Sequence, residues 1–376
     1  MPPKYRGRVR TRRSGTPARK SLRGYALILG AGASHGAAVG EQRPPLDSAF
    51  LRRAKTALGG RGRKHKDDSR IWQAFVRALR LAGAKQKASV DWRLEDLATY
   101  LEARANMPSL QHSRGRPAKY ADALTALAAV VCRTLRKTNG AKRCGLHEAL
   151  IDFVAPSCVV TFNYDLIVDS TLMSMGKLAW SAKEYAGKTI LLPDSRNRLV
   201  RRAKPRVKKH PGTIPLLKLH GSINWERHEK GGGFSLVLDE IPSDNALQCS
   251  LCPERALVVP PVASKTQIRE TGLLALWKEA SWLLRKAKGW VLWGYSFPRT
   301  DTVTQVLLGT ALAKNRRPKP VVVINPDSDA GVRVQTQLQK VSVQRWSSVE
   351  RFLFDHGRLA LADDSSRARR SRPRKA

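Results

Sequence analysis

Residues 25–36 read Tyr-Ala-Leu-Ile-Leu-Gly-Ala-Gly-Ala-Ser-His-Gly, and this stretch decides the fold. The apolar run 25–30 predicts a short buried strand, and the glycine-rich run 30–36 predicts a tight turn into a helix. Such a turn presents backbone N–H groups to a phosphate at the start of the helix. The usual dinucleotide fingerprint is incomplete, because no acidic residue lies about 20 positions on to hold a ribose. On its own, the turn leaves two readings: a phosphate site, or the packing of a helix on a sheet.

Apolar strands and helices alternate along the rest of the chain. Buried strands are predicted at 157–163, 214–221, 290–296 and 320–326, and helices at 70–83, 91–104, 119–138, 267–288 and 302–314. A capping box at Ser347 and Glu350 predicts a final helix. The helices between about 46 and 155 form a block without strands. The pattern predicts an α/β fold with a parallel sheet, helices on both faces and a helical insertion.

Polar residues come directly after four of these strands. Thr161-Phe-Asn-Tyr-Asp165 follows one strand and Lys218-Leu-His-Gly-Ser-Ile-Asn-Trp225 follows another, while 294–301 and 324–327 also offer hydroxyl, amide and carboxylate groups. Ligands of open α/β sheets bind outside the carboxyl ends of the strands, so we expect these clusters to face one site. Taken singly, a histidine at a strand end is more often structural, and an asparagine usually forms a turn.

The motifs together resemble a known family. GAGAS at 30–34, TFNYD at 161–165, KLHGS at 218–222, GYS at 294–296 and INP at 324–326 occur in the order found in sirtuin-like proteins. The residues of these motifs are most similar to those of bacterial SIR2-like NAD-consuming proteins, several of which act in antiphage defence. The segment 260–265 also resembles a Pro…Lys segment of that group. The resemblance spans about residues 24–330. It implies a Rossmann-like NAD-binding fold with a helical insertion.

The resemblance also implies roles for individual residues. Asn163 would position the attacking water near the nicotinamide ribose, His220 would contact the ribose hydroxyls and act as a base, and Asp165 would lie at the nicotinamide end. The remaining NAD-binding residues would hold the pyrophosphate (Gly30, Ala31, Gly32 and Ser34) and the adenosine half (Gly294, Ser296 and Asn325). NAD would be a substrate, because cleaving the nicotinamide–ribose bond needs a placed nucleophile and a base more than a cofactor.

The chain also departs from the protein deacylases of that family. Their zinc ribbon has two CxxC pairs, whereas only Cys249-Ser-Leu-Cys252 has that form here. A structural zinc site needs four ligands, so we predict no metal site. Tyr164 stands where a small aliphatic residue is usual. Among the tryptophans, Trp277, Trp282 and Trp346 are predicted to pack in the core, and Trp225 is a candidate wall of the nicotinamide pocket.

The charge is strongly unbalanced, with 69 Lys+Arg against 30 Asp+Glu and a formal net charge of +39. Nine basic residues lie in 1–23, eight in 196–209 and six in 367–376, without an acid in any of the three segments. We expect a disordered basic arm at 1–23, a domain at 24–355 with a basic loop at about 194–211, and a basic tail at 356–376. The arms are candidates for non-specific nucleic-acid contact or are solvated tails. The remaining +16 suits a dianionic dinucleotide.

The absence of membrane-spanning and signal segments, together with the cysteine count, indicates the compartment of the protein. No stretch approaches the roughly 20 apolar residues that cross a bilayer, and the apolar run after Arg12-Arg13 is too short for a signal peptide. Five cysteines in 376 residues indicate a reducing compartment, so we expect a cytoplasmic protein without membrane contact. A homo-oligomer or an activating protein partner is expected for an NAD-consuming effector.

Three functions stay open at this point. The leading hypothesis is a triggered NAD glycohydrolase that yields nicotinamide and ADP-ribose. The second is an NAD-dependent protein deacylase. The third is a nucleic-acid-binding protein whose pocket senses NAD or ADP-ribose without cleaving it.

Overall fold

The computed structural model describes most of the chain between residues 22 and 357. The described ranges are 22–37, 44–59, 66–82, 92–106, 116–138, 144–180, 190–193, 199–202, 212–227, 234–236, 256–259, 273–298, 301–313 and 317–357. The predicted arm, apart from residues 22 and 23, and the predicted tail beyond residue 357 lie outside them. So do Cys249, Cys252 and the segment 260–265.

A parallel sheet of seven strands forms the centre of the molecule. In chain order its strands are β1 (Ala26–Leu29), β2 (Cys158–Thr161), β3 (Leu178–Trp180), β6 (Ile214–Lys218), β10 (Trp290–Trp293), β11 (Lys319–Ile324) and β12 (Val341–Trp346). Their spatial order is β12-β11-β10-β1-β2-β6-β3, and every neighbouring pair is parallel. Without the edge strand β3, this is the Rossmann order, in which the chain builds one half outward from β1 and then the other. The predicted Rossmann-like α/β fold is confirmed.

Helices cover both faces of this sheet, which explains why its strands are apolar throughout. Ala26 and Ile28 of β1 pack into one core cluster, and Leu27 and Leu29 pack into another on the opposite face. The first face is covered by α8 (Leu274–Lys286), α9 (Thr302–Leu312) and α10 (Asp329–Leu338). The second is covered by α6 (Gly145–Val154), α7 (Ile167–Ser174) and α11 (Val349–Asp355).

A separate helical layer precedes α6. It contains α2 (Phe50–Leu58), α3 (Lys66–Leu81), α4 (Leu94–Asn106) and α5 (Arg116–Thr138), which share a third core cluster. This layer falls within the predicted insertion of 46–155. The last helix of that range, α6, packs on the sheet instead, because its buried residues Leu150, Ile151 and Val154 join the sheet cluster.

The other short elements differ from the sequence predictions in several places. The predicted basic loop at about 194–211 contains a strand, β5 (Leu199–Arg202), which pairs antiparallel with β4 (Ile190–Pro193). A three-stranded antiparallel sheet joins β7 (Gly221–Arg227), β8 (Phe234–Leu236) and β9 (Ala256–Val258). The cap of α11 is Ser348, whose hydroxyl accepts from the Arg351 N–H, so the predicted capping box starting at Ser347 is wrong by one residue.

Within the described ranges, none of the helices combines the length and the apolar character needed to cross a bilayer. Three cysteines, Cys132, Cys144 and Cys158, are described, and all are buried thiols outside any disulfide. Burial raises the pKa of the Cys158 thiol to about 12. These thiols are therefore packing groups rather than reactive ones.

Candidate active site

A cavity of about 700 Å³ opens at the carboxyl ends of the strands, at the point between β1 and β10 where the strand order reverses. Ligands bind at this switch point in doubly wound sheets. All ten predicted site residues line this one cavity: Gly30, Ala31, Gly32, Ser34, Asn163, Asp165, His220, Gly294, Ser296 and Asn325. They come from five separate parts of the sequence, and the parallel sheet brings those parts to one edge.

The glycine-rich turn lies between β1 and α1 (Ala31–Ala37) and packs directly on the turn after β10. Gly32 N–H donates to the Gly294 carbonyl over 2.9 Å, and Gly30 N–H donates to the Trp293 carbonyl over 3.0 Å. A Cβ on Gly32 would lie 2.8 Å from the Gly294 Cα, which is closer than packed atoms approach. Gly294 also has a positive φ of 65°. The turn therefore packs a helix tightly on the sheet and also lines the cavity, while its role as a phosphate site stays a prediction.

Asn163 is held in one orientation by the glycine-rich turn. Its Nδ2 donates to the Gly30 carbonyl over 2.9 Å and to Ser34 Oγ over 2.8 Å. Because a carbonyl oxygen only accepts, the amide nitrogen must be the atom that faces Gly30. Its Oδ1 remains to accept a hydrogen bond from a ligand or a water in the cavity. Ser34 is thus a positioning contact for Asn163, in addition to any contact with a phosphate.

His220 is surrounded by aromatic rings. The imidazole centroid lies 5.1 Å from the ring of Phe162, 6.2 Å from Tyr164 and 6.1 Å from Trp277, with which it is stacked. Only 6% of the residue is exposed. Tyr164 is anchored by a 2.6 Å hydrogen bond from its hydroxyl to the Val259 carbonyl, and burial raises its pKa. The imidazole is therefore placed by apolar contacts that also limit the access of water.

A buried ion pair lies beneath the loops that carry Asn163 and His220. Lys218 is 1% exposed, and its Nζ donates to Asp169 Oδ2 over 2.9 Å and to the main-chain carbonyl of Asp165. Burial raises the pKa of Asp169, although Lys218 opposes that shift. Asp165 Oδ1 in turn accepts from the N–H of Ile167, the first residue of α7, over 3.1 Å. Lys218 thereby ties the strand that precedes His220 to the loop that follows Asn163.

The far end of the cavity is formed by loops after β10 and β11. Asn325 Oδ1 accepts from the Asp327 N–H over 3.0 Å, and Arg333 pairs with Asp327 while donating to the Ser296 carbonyl over 2.8 Å. Arg333 thus joins the two loops. Asp301 accepts from the Tyr295 hydroxyl over 2.7 Å and caps α9 through the Thr304 N–H. These contacts fix the loops that carry Gly294, Ser296 and Asn325.

The helical layer supplies one wall of the cavity, which the sequence motifs did not reveal. Asp47 accepts from Arg93 Nε over 2.7 Å and from the Glu95 N–H over 2.8 Å, so it joins residues 44–50 to the start of α4. His35 Nδ1 donates to the Pro44 carbonyl over 2.9 Å and links α1 to the same segment. No motif marks these residues, because their position depends on how the inserted helices pack.

The cavity lining is acidic, in contrast to the chain as a whole. Arg93 is the one Lys or Arg among the lining residues that the structure describes, against six carboxylates: Asp47, Glu95, Asp165, Asp301, Asp327 and Glu350. The basic surplus of the chain therefore does not line this part of the site. Since the Gly30 and Gly32 N–H groups already donate to the Trp293 and Gly294 carbonyls, a dianionic ligand would have to be held here by Arg93 and by the N–H groups that the turn leaves unused.

Trp225 does not line the cavity, contrary to the prediction. It is 1% exposed and packs in the sheet core, because β7 turns away from the sheet edge into the small antiparallel sheet. Within the described part of the chain, the Phe, Tyr and Trp side chains that line the cavity are Phe50, Phe162, Tyr164, Trp293 and Tyr295. Among the described residues, no group of His, Cys, Asp and Glu side chains could hold a metal ion.

The chain was compared with known proteins. No family model matches it. No curated protein matches it either. One similar solved structure is a SIR2 homolog in complex with NAD, with 13% identity, 90% of this chain and 91% of that chain covered, and a TM-score of 0.42. Another is a mutant Sir2 homologue in complex with ADP-ribose. It has 12% identity and a TM-score of 0.36, and the match covers 93% of this chain and 94% of that chain. Both likenesses are distant.

Proposed function

We propose that the protein is an NAD glycohydrolase, which cleaves NAD to nicotinamide and ADP-ribose. The observation that carries the proposal is the convergence of an oriented Asn163 amide, the His220 imidazole and the glycine-rich turn on one cavity at the switch point. The sirtuin-like order of the motifs supports the same choice of substrate.

We infer one direction for NAD in the cavity. We place the pyrophosphate on the turn that carries Gly30, Ala31, Gly32 and Ser34, where the glycines let a phosphate approach the backbone closely. The adenosine half then lies toward Ser296 and Asn325, and the nicotinamide lies toward Asp165. This direction puts the ribose that carries the nicotinamide between Asn163 and His220.

The reaction breaks the bond between ribose C1′ and the nicotinamide ring nitrogen, and the electron pair of that bond neutralises the ring. Asn163 Oδ1 accepts a hydrogen bond from the water whose oxygen attacks C1′, and His220 takes the proton. The ribose develops positive charge as the bond breaks, and the acidic lining that includes Asp165 stabilises that charge. The products are nicotinamide, ADP-ribose and a proton. We further propose that a partner or assembly triggers this activity.

The experiment is product analysis of NAD incubated with the full chain, alone and with an acylated-lysine peptide. We expect nicotinamide and ADP-ribose without the peptide. Asn163→Ala and His220→Ala should lose at least about a hundredfold in rate, the usual contribution of a general base. Asn106→Ala and His356→Ala, which lie outside the cavity, serve as matched controls.

Two results would identify another function. Nicotinamide release that requires the peptide would make the protein a deacylase. NAD that binds but stays intact under every tested condition, with and without candidate activators, would make the cavity a sensor. Calorimetric binding of NAD to Asn163→Ala separates a loss of chemistry from a loss of binding.

A further inference from the structure

The outer face of α8 exposes a tryptophan between two lysines. Trp282 is 50% exposed, although its sequence position predicts a packed residue, and Lys278 and Lys286 lie one helical turn to either side. Lys286 Nζ lies 6.0 Å from the centroid of the Trp282 ring. The buried face of the same helix is complete without Trp282, because Leu276, Trp277, Ala280 and Leu284 fill it.

Further cations continue from the end of α8 along the amino-terminal edge of the sheet. Arg285, Lys286 and Lys288 precede β10, Arg23 precedes β1 and Arg317 precedes β11, and all five are exposed. The Lys288 N–H donates to the Gly24 carbonyl over 3.1 Å, and the starts of β10 and β11 are paired, so these cations lie side by side. Because every strand of the sheet is parallel, this edge is opposite the cavity. We call Lys278, Trp282, Arg285, Lys286, Lys288, Arg317 and Arg23 the α8 surface.

Five of the six cations of the α8 surface are not paired with acids in the described part of the fold. Lys278, Arg285, Lys286, Lys288 and Arg317 form no ion pair with any described residue, whereas Arg93, Arg133, Lys137, Lys177, Arg333 and Arg351 all do. Basic residues in the last turn of a helix favour its dipole, which accounts for Arg285 and Lys286 only. One acid, Glu279, lies on the same helix and is half-buried. The surface is therefore strongly cationic.

We propose that the α8 surface binds single-stranded nucleic acid, with phosphates on its cations and an unpaired base stacked on Trp282. A basic track with an exposed aromatic ring is the combination that single-strand binders use, because every base has a face that stacks. A duplex hides the faces of its bases, so it would use the charges and not the ring. The inference does not rest on the proposed cleavage of NAD.

A further observation favours a nucleic acid over an anionic membrane. An interfacial helix inserts a whole apolar face, but the apolar face of α8 is packed in the core, which leaves Trp282 and the partly exposed Leu274 outside.

The test is fluorescence anisotropy with the full chain and a labelled thymidine oligonucleotide of about 20 nucleotides, longer than the roughly 4–16-nucleotide sites of such binders. Trp282→Ala should weaken binding of the single strand about tenfold, within the range of one stacked base, and Trp282→Phe should restore most of it. Neither change should alter binding of the matching duplex. NAD cleavage should also be unchanged, because Trp282 lies outside the cavity.

The charges are tested by salt dependence. The logarithm of the binding constant falls linearly with the logarithm of the salt concentration, with a slope of about 0.7 for each phosphate contact on a single strand. Replacing Lys278 and Lys286 together by Gln should therefore reduce the size of this slope by about 1.4. The control replaces two exposed cations of the helical layer, Arg77 and Lys119, by Gln and should leave the slope unchanged. Equal binding of duplex and single strand, no effect of Trp282→Ala, or binding only to phosphatidylserine vesicles would each overturn the proposal.

Discussion

Replacing Lys218 by Met tests whether the buried ion pair organises the candidate active site. Methionine keeps the length of the side chain and removes its charge and its hydrogen bonds. Asp169, which is fully buried, would lose its cation, and the Asp165 carbonyl would lose its donor. The variant therefore disturbs the loop that follows Asn163 without touching the cavity lining.

The magnitude follows from the burial of both partners. Removing one member of a buried ion pair costs about 3–5 kcal/mol, because the other charge stays uncompensated in a medium that solvates it poorly. A domain is stable by about 5–15 kcal/mol, so we expect a folded but weakened protein. The double variant Lys218→Met/Asp169→Leu removes both charges and should recover most of the loss, since apolar replacement of a buried pair is often neutral.

Guanidinium denaturation measures this loss. The control is Lys177→Met, which breaks the surface pair between Lys177 and Asp152 and should cost about 0–1 kcal/mol. The catalytic readout is independent of stability. In the double variant the Asp165 carbonyl still lacks its donor, so kcat for nicotinamide release should stay low while KM for NAD changes little.

A cost below about 1 kcal/mol for Lys218→Met would refute the energetic reasoning, because it would mean that water or a rearrangement compensates Asp169. A double variant with both normal stability and normal kcat would refute the positioning role of Lys218 and leave only a structural one.

Three further outcomes are expected. Burial without a partner for its Nδ1 lowers the pKa of His147 to about 3. The unfolded chain then takes up a proton on this histidine near pH 6.5 while the folded chain does not, so the free energy of unfolding should fall as pH falls below that value. Between pH 7 and pH 5 the loss is about 2 kcal/mol by linkage. His147→Phe, which keeps a ring against Trp293, should remove this loss in denaturation curves at the two pH values. Gly32→Ala should destabilise by about 1–3 kcal/mol through overpacking against Gly294, whereas Gly36→Ala, with open space around it, should not lower Tm. Burial raises the pKa of Asp68, but hydrogen bonds from Lys137 and Arg133 outweigh this and hold the pKa below its ordinary value, so the contribution of Asp68 to stability is lost as pH falls through that lowered pKa. Asp68→Asn should therefore lower the free energy of unfolding by about 1.5–3 kcal/mol at neutral pH. An unchanged denaturation midpoint would contradict the role of these two contacts.

The sequence was sufficient for the five inner strands of the sheet and for bringing the predicted site residues together, whereas the edge strands β3 and β12 were not predicted. Buried parallel strands such as β1 and β10 are continuous apolar runs, and their ends were marked by glycine and polar residues. Once the strands are parallel, their carboxyl ends must meet at one edge, so Asn163, His220 and Asn325 had to come together. Their roles in chemistry stay predictions.

The remaining features depended on packing between segments distant in sequence. Trp282 has the same helical spacing as a packed residue, and only the completed face of α8 leaves it exposed. Trp225 follows the His220 motif directly, yet the turn of β7 into a second sheet carries it into the core. The wall formed by Asp47 and Arg93 required the docking of the helical layer, for which the sequence contains no motif.

The central claim is that Asn163 acts in the cleavage of NAD and is not required to hold it. The most direct measurement is the rate of nicotinamide release by the wild-type chain and by Asn163→Ala, with the affinity of each for NAD determined beside it. We predict that the variant binds NAD within a few-fold of the wild type and releases nicotinamide at least about a hundredfold more slowly. Release at the wild-type rate from the variant, or no release from the wild type when NAD is bound and activators are supplied, would contradict the claim.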